Sequence, residues 1–213
     1  MRRLGEEIEE RRQFIMYHKG EIAGQRGVGF LVKLNLKSQI IGFEGISARI
    51  AAIHININTN KWTVIQVDSP TEQATKMDID IFYNKLSEII EKYLENNIML
   101  MGDFNARVGV QLPGEEHIIG KYGNGKRSKN GEKLLEKNLT ILNSVFRKKP
   151  KSKWTWMSPD GKTRNEIDNI ITNRVRSFSD TGIIQNLNFN TNHRMVHSCL
   201  TESGTKNLDQ KQS

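Results

Sequence analysis

The residues best suited to chemistry follow a short apolar run. Residues 98–101 (IMLM) favour a buried central strand, and Gly102, Asp103, Phe104 and Asn105 come directly after it. Because side chains alternate along a strand, Asp103 and Asn105 are predicted to point the same way at its carboxyl end, where open α/β sheets place active sites. A carboxylate there can activate water or hold a metal ion, and an amide can bind a phosphate oxygen. An Asp/Asn turn that only closes the strand is the open alternative.

A second carboxylate, Asp168, lies inside the apolar strand predicted over residues 166–172. An unpaired charge buried in such a strand is costly, so Asp168 should have a partner. His193, just before the last predicted strand, is one candidate, since an Asp that holds a His in one tautomer is a common catalytic arrangement. Arg174 and Arg194 are the alternative partners, in which case His193 only caps a turn.

The chain is basic. Its 213 residues include 32 Lys+Arg and 24 Asp+Glu, a formal net charge of +8 at pH 7. Such an excess attracts polyanions, of which nucleic acid is the commonest in cells, although a merely Lys-rich soluble surface has the same composition. Five of the cations fall within residues 147–153 (RKKPKSK), next to two tryptophans, and they predict contacts to a DNA backbone unless the run is only a solvated loop. The residues predicted to contact DNA are Arg147, Lys148, Lys149, Lys151, Lys153 and Trp156.

Composition excludes several classes of protein. Cys199 is the single cysteine, so an internal disulfide and a cysteine zinc site are both excluded and a reducing compartment is favoured. The amino terminus lacks the apolar core of a secretory signal, and no apolar run is long enough for a membrane helix. We therefore expect an intracellular protein, nuclear or cytoplasmic, that is neither secreted nor membrane-bound.

Strand and helix patterns alternate around these residues. Alternation of Ile53, Ile55 and Ile57 with polar residues, a turn and a second run at 62–67 predict a hairpin, and helical spacing predicts a helix within 72–96. A short helix is predicted around Leu134 and Leu135. Further strands are predicted over 27–33, 139–142, 154–156, 166–172 and 194–200. These elements predict one α/β domain with mixed sheets over residues 1–200, followed by a disordered tail over 201–213.

The GDFN run, the segment 154–161 (WTWMSPDG), the Glu166-Ile167-Asp168 strand and the terminal Asn192-His193-Arg194 resemble, in this order, the endonuclease/exonuclease/phosphatase superfamily. The branch is similar to the endonuclease domains of non-LTR retrotransposons and the craniofacial development protein 2-like sequences derived from them. The resemblance extends from about residue 6 to residue 200. It implies a four-layered α-β-β-α sandwich of two facing mixed sheets, with the site at the sheet edges.

The resemblance also implies roles. The family hydrolyses phosphodiesters, usually with Mg²⁺, so Asp103 would align or deprotonate the attacking water and Asn105 would bind the scissile phosphate. His193 would contact the phosphate oxygen as its charge develops, and Asp168 would orient His193. DNA is the expected partner, and the oligomeric state is left open.

Three departures from the family pattern stand beside these roles. The family has an asparagine on its first strand and a metal-binding glutamate on the next, and this chain is expected to begin after both, as an amino-terminally truncated domain lacking the first strand. The glutamates of residues 6–10 are assigned no metal, because no apolar strand is predicted to aim them. Asp68 stands where a phosphate-contacting tyrosine is expected. Asn192 stands where the family has an aspartate, so Asn192 is predicted to be a weakened metal ligand.

Together these features predict a retrotransposon-derived, Mg²⁺-dependent DNA endonuclease whose activity is impaired or lost. The alternative is a non-catalytic remnant that binds nucleic acid or chromatin; a sugar- or lipid-phosphate phosphatase of the same superfamily is favoured less. Residues 120–126 (GKYGNGK) match part of a phosphate-binding loop, but Arg127 follows where Ser or Thr must bind Mg²⁺, which argues against nucleotide binding.

Overall fold

The computed structural model describes residues 4–22, 26–57, 59–185 and 190–201. Its strands are β1 (Gly5–Glu10), β2 (Phe14–Gly20), β3 (Val28–Lys33), β4 (Ile40–Ser47), β5 (Ile50–Ile57), β6 (Asn60–Asp68), β7 (Asn97–Asp103), β8 (Thr140–Ile141), β9 (Trp156–Met157), β10 (Arg164–Asn165), β11 (Asp168–Thr172), β12 (Phe178–Ile184) and β13 (Met195–Leu200). Its α-helices are α1 (Lys76–Tyr93) and α2 (Lys129–Leu135), and short 3-10 helices span Leu34–Gln39, Leu142–Ser144, Pro150–Ser152 and Val175–Ser177. The predicted tail from residue 202 onward lies outside the described residues.

A six-stranded mixed sheet forms the centre of the fold. Its order is β4-β5-β6-β7-β11-β8, and β6 and β7 are its parallel pair. Parallel neighbours need a long crossover, which helix α1 supplies between these two strands. Strand β7 is apolar on both faces because Ile98 and Leu100 pack on one side and Met99 and Met101 on the other.

The two faces of this sheet have different covers. Helix α1 presents Phe82, Leu86 and Ile90 to one face, where α2 adds Leu134. On the other face, Ile15 and Phe30 from the sheet β1-β2-β3 form a second apolar cluster. The described residues therefore have a helical layer, a central sheet and facing strands, while the full four-layer arrangement stays a prediction.

Several predicted elements are confirmed. The hairpin is β5–β6, the strand after residue 97 is β7, and the strand around Asp168 is β11. The helix predicted within 72–96 is α1, which begins after Thr75; the Thr75 side chain accepts a hydrogen bond from the Asp78 N–H. No helix within the described ranges is both long and apolar enough to cross a membrane.

Strand β1 corrects one expectation about the glutamates of residues 6–10. No apolar strand was predicted to aim them, yet they lie on the polar strand β1, which pairs antiparallel with β2 over its whole length. Strand β1 lies at the edge of its sheet, where charged side chains are common. Its composition therefore lacks the apolar alternation by which buried strands are predicted.

Candidate functional site

Three aspartates lie side by side at one end of the strands in the middle of the central sheet. Asp68 ends β6 and Asp103 ends β7, and the parallel register places them side by side. Asp168 begins the antiparallel strand β11 and pairs with Asp103 from the other side. Residues in register on adjacent strands share a face of the sheet, so the three side chains lie together along an open pocket of about 420 Å³.

Gly102 allows strands β6 and β7 to come this close. Its φ of +135° is a conformation that L side chains rarely adopt, and a Cβ there would lie 2.1 Å from the carbonyl oxygen of Val67. The glycine of the GDFN run therefore determines how closely Asp103 approaches the strand that carries Asp68.

Asn105 reaches the site through a turn rather than through strand alternation. Strand β7 ends at Asp103, and Asn105 has a positive φ of 46°. The Asn105 N–H donates to Asp103 Oδ1 (2.8 Å), while its side-chain Nδ2 donates to the Ser69 carbonyl (2.9 Å) and to Asp103 Oδ2 (3.2 Å). The prediction that Asp103 and Asn105 lie together is confirmed, but the assumed alternation is wrong, and the amide protons already bind protein oxygens.

His193, and neither arginine, is the partner of Asp168. His193 Nδ1–H donates to Asp168 Oδ2 at 3.1 Å. This bond does not use Nε2 of the ring, and the His193 side chain is 38% exposed. Arg194 stacks on the Trp154 ring, and Arg174 donates to Asn97. The structure thus selects one of the alternatives that the sequence left open.

Thr155, in the middle of the Trp-Thr-Trp segment, connects the backbone at Asp168 to the backbone next to His193. Its buried hydroxyl accepts hydrogen bonds from the Ile167 and Asp168 N–H groups at 2.9 and 3.0 Å. Its carbonyl accepts from the Arg194 N–H at 2.6 Å, and Trp156 pairs with His193 as an isolated bridge. Sequence reasoning missed Thr155, although a small hydroxyl residue between two tryptophans was the available signal.

Burial and charge shift the pKa values of this cluster. Burial, reinforced by the charge of Asp168, raises the pKa of Asp103 to about 7, against the opposing effects of the Asn105 N–H and His193. The hydrogen bond that His193 donates to Asp168 raises the pKa of His193 above its ordinary value, although burial acts in the other direction. Near neutral pH, Asp103 can therefore exchange a proton. The bond to Asp168 favours the protonated form of the His193 ring relative to an unpaired histidine.

The cluster also has the donors of a cation site. Carboxylate oxygens of Asp103 and Asp168 and a ring nitrogen of His193 lie within 4.8 Å of one another. Burial is the main cause of the raised pKa of Asp103, and the negative charge of Asp168 adds to it. A divalent cation would relieve that second effect, and carboxylate oxygens suit Mg²⁺. Asn192 is exposed beside His193, and its backbone carbonyl accepts from Met157. Its role as a metal ligand stays a prediction.

Asp68 has a cation beside it. Arg49 Nη1 donates to the Asp68 carbonyl at 2.7 Å and lies 3.8 Å from Oδ2 of the same residue. An anion at this position would repel a phosphate unless a cation intervened. Arg49, which the sequence did not single out, is positioned to offset that charge.

The basic run over residues 147–153 divides into two groups. Lys148 forms an ion pair with Asp180 at 2.7 Å, and Lys153 is 4% exposed, with Nζ donating to the Tyr122 carbonyl and lying 3.4 Å from Glu166. These two lysines are engaged within the fold. The remaining cations of the run are exposed and make no ion pair with the described residues; they are Arg147, Lys149 and Lys151.

The chain has the fold of the endonuclease/exonuclease/phosphatase superfamily, which confirms the resemblance inferred from its motifs. It matches the AP endonuclease LMAP from Leishmania major with a TM-score of 0.66 at 8% identity, over 90% of this chain and 72% of that one. It matches the endonuclease domain of TRAS1, a telomere-specific non-LTR retrotransposon, with a TM-score of 0.52 at 13% identity, over 74% of this chain and 64% of that one. It matches D. rerio TDP2 complexed with a single-strand DNA product with a TM-score of 0.59 at 10% identity, over 87% of this chain and 76% of that one.

Sequence similarity points to particular relatives. The chain is 32% identical to Craniofacial development protein 2 of Bos taurus over 164 residues, which is 74% of this chain, and 31% identical to that of Tragulus javanicus over the same share. It spans 27% and 28% of the length of these two proteins. No protein-family model matches the chain.

Proposed function

We propose that this chain carries a Mg²⁺-dependent DNA phosphodiesterase site whose water-activating half is intact and whose metal-binding half is weakened, so that cleavage is slow. The observation that carries the proposal is the convergence of Asp103, Asp168 and His193 within 4.8 Å, from positions as far as 90 residues apart. Surface aspartates and histidines have no reason to meet in this way, whereas hydrolysis in line requires a base and a group that contacts the phosphate.

Each residue has a separate task in this proposal. Asp103, with its pKa near neutrality, takes the proton from the attacking water. His193, fixed through Nδ1 by Asp168, offers Nε2–H to the phosphate oxygen as negative charge develops there. Asn105 would have to exchange its bond to Ser69 for one to the phosphate.

The donor set fits a divalent cation only in part. Asp168 would hold it through a carboxylate oxygen, next to Asp103, and Asn192 would add a neutral amide oxygen where the family has a carboxylate. A bound Mg²⁺ would supply neutralisation of charge on the phosphate. Because Asn192 contributes no charge, we expect weak cation binding and therefore slow turnover.

Nicking of supercoiled plasmid DNA with and without Mg²⁺ tests this proposal. We expect slow nicking that requires Mg²⁺ and falls by about 100-fold or more in Asp103→Asn, as typical losses of a general base predict. Asp80→Asn, an aspartate on α1 that pairs with Lys133, is the matched control and should cleave like the unmodified chain. Asn192→Asp should raise the rate at limiting Mg²⁺ if the weak ligand limits turnover.

A non-catalytic nucleic-acid-binding role is the second candidate, and the exposed cations Arg147, Lys149 and Lys151 favour it. Phosphate contacts by such cations give an affinity that falls steeply with salt. Salt-sensitive DNA binding by a folded chain that never nicks DNA, at any Mg²⁺ concentration and also after Asn192→Asp, would reject the first proposal and support this one.

A further inference from the structure

A second histidine–carboxylate cluster lies on the sheet β1-β2-β3. Glu7 and Glu9 are two residues apart on β1, so they share one face of the strand, and Glu7 pairs in register with His18 on β2. One carboxylate oxygen from each glutamate and a ring nitrogen of His18 lie within 4.8 Å of one another. None of these residues belongs to the Asp103 site.

His18 is the unusual member of this cluster. His18 is completely buried (0% exposed), and neither of its ring nitrogens has a hydrogen-bond partner among the described residues. Tyr17, its neighbour, faces the apolar cluster shared with the central sheet, so His18 points to the opposite face of its own sheet. A buried imidazole with both nitrogens unsatisfied is rare, because buried polar groups nearly always find partners.

The spacing around His18 suits a metal better than a proton. Its Nε2 lies 3.5 Å from Glu7 Oε2 and 3.8 Å from Glu9 Oε1. A charge-assisted hydrogen bond would bring such atoms to about 2.8 Å. Two ligands of one tetrahedral zinc ion, each about 2.0–2.1 Å from the metal, stand about 3.4 Å apart, close to the observed separations.

The charges of the cluster also suit a divalent metal ion. The two carboxylates supply negative charge that favours a divalent ion, although Glu9 is also paired with Arg11. Glu9 Oε2 binds Arg11 at 2.6 Å, and Oε1 of the same carboxylate lies 3.8 Å from His18 Nε2. An imidazole nitrogen in the set favours zinc-like transition metals over Mg²⁺ or Ca²⁺, which prefer oxygen ligands throughout.

We propose that Glu7, Glu9 and His18 form a zinc-class metal site, with water completing the coordination, that fastens the edge strand β1 to β2. Glu7, whose side chain is 62% exposed, gives the ion access from solvent. Because β1 has a neighbour on one side only in its sheet, a cross-strand metal would add a second kind of attachment to this edge strand.

Zinc titration of the full-length chain, by chelator competition and by the visible spectrum of bound Co²⁺, tests the site. The titration is run in a His193→Ala background, which removes the histidine of the other cluster. We expect one bound equivalent with a tetrahedral Co²⁺ spectrum. Glu7→Gln and His18→Asn should each weaken binding by more than about tenfold, the loss that even an outer-shell substitution can cause.

Glu6→Gln is the matched control. Glu6 lies on the same strand but on the opposite face, where it pairs with Lys19, so its substitution should leave zinc binding unchanged. Circular dichroism establishes that each variant is folded; if His18→Asn does not fold, the exposed Glu7→Gln decides. Absence of zinc binding by the folded chain, or equal binding by Glu7→Gln and Glu6→Gln, would overturn the proposal.

Discussion

The two histidine–carboxylate clusters are built on opposite kinds of strand. Asp103 and Asp168 lie on β7 and β11, inside the central sheet, whereas Glu7 and Glu9 lie on the edge strand β1. In the first cluster the histidine is hydrogen-bonded and 38% exposed; in the second it is buried and has no hydrogen-bond partner. The same three groups therefore have different chemistry in the two places.

The difference follows from what each histidine contacts. His193 has one nitrogen fixed by a carboxylate and the other available, an arrangement suited to placing a proton near a substrate. His18 has both nitrogens removed from water and two carboxylates just beyond hydrogen-bond distance, an arrangement suited to a cation that approaches all three. The hydrogen bond, more than the residue types, separates a histidine suited to proton transfer from a histidine suited to metal binding.

Removing the hydrogen bond in the first cluster should have the largest effect. In Asp168→Asn, the amide can no longer stabilise protonated His193 or impose its tautomer, so Mg²⁺-dependent nicking should fall by about 100-fold or more. The pKa of His193, followed by NMR titration, should fall in the same variant because the main cause of its elevation is removed. An unchanged pKa would show that Asp168 does not control the ring.

Zinc should stabilise the folded chain through the cluster of Glu7, Glu9 and His18. At 100 times its dissociation constant, an ion that binds only the folded chain stabilises it by about 2.7 kcal/mol. We expect zinc to raise the melting temperature of His193→Ala, and to do so much less when Glu7→Gln is added. If zinc raised the melting temperature equally with and without Glu7→Gln, the ion would not bind at Glu7, and the proposed zinc site would be wrong.

Asp103 should lower stability at neutral pH while serving activity. Its folded pKa of about 7 lies above the ordinary value of 3.8, so the stability it contributes is complete below about pH 4 and is lost as the pH rises through 7. In metal-free buffer, Asp103→Asn should therefore be more stable than the unmodified chain by about 1–3 kcal/mol at pH 8, with little difference at pH 4.

Urea unfolding of Asp103→Asn at the two pH values measures this gain. The asparagine can still accept the hydrogen bond from the Asn105 N–H, so the turn should persist. A variant that is less stable at pH 8 would mean that the carboxylate is not held in a destabilising environment.

The exposed cations of the basic run should affect DNA binding but not zinc binding. Replacing Arg147, Lys149 and Lys151 together by alanine should weaken DNA binding and reduce the dependence of log K on log salt by up to about 3, near 0.9 for each phosphate that is no longer neutralised. Zinc affinity should not change. Fluorescence anisotropy at several salt concentrations measures the slope, with a charge-matched control in which the exposed residues Lys33, Lys61 and Lys129 are replaced.

The sequence predicted the first cluster and missed the second for a physical reason. Asp103 and Asp168 stand out because a charge next to an apolar strand is costly and therefore informative. Glu7 and Glu9 stand among other glutamates on an edge strand, where charge is ordinary, and His18 follows Tyr17 without any pattern of its own. Among the strands, β5, β6 and β7 were predicted from apolar patterns, whereas β1, β2, β4 and β12 were not.

The sequence by itself determined the order of the motifs, the apolar strands that carry Asp103 and Asp168, and the excess of positive charge. Tertiary structure decided the rest. His193 and not Arg194 bonds to Asp168, Thr155 is hydrogen-bonded to the backbones of Asp168 and Arg194, and Lys153 is buried. These outcomes depend on contacts between residues far apart in the chain, which local propensity and periodicity do not contain. Pairing of strands brings such residues together, and a single register fixes all of their partners at once.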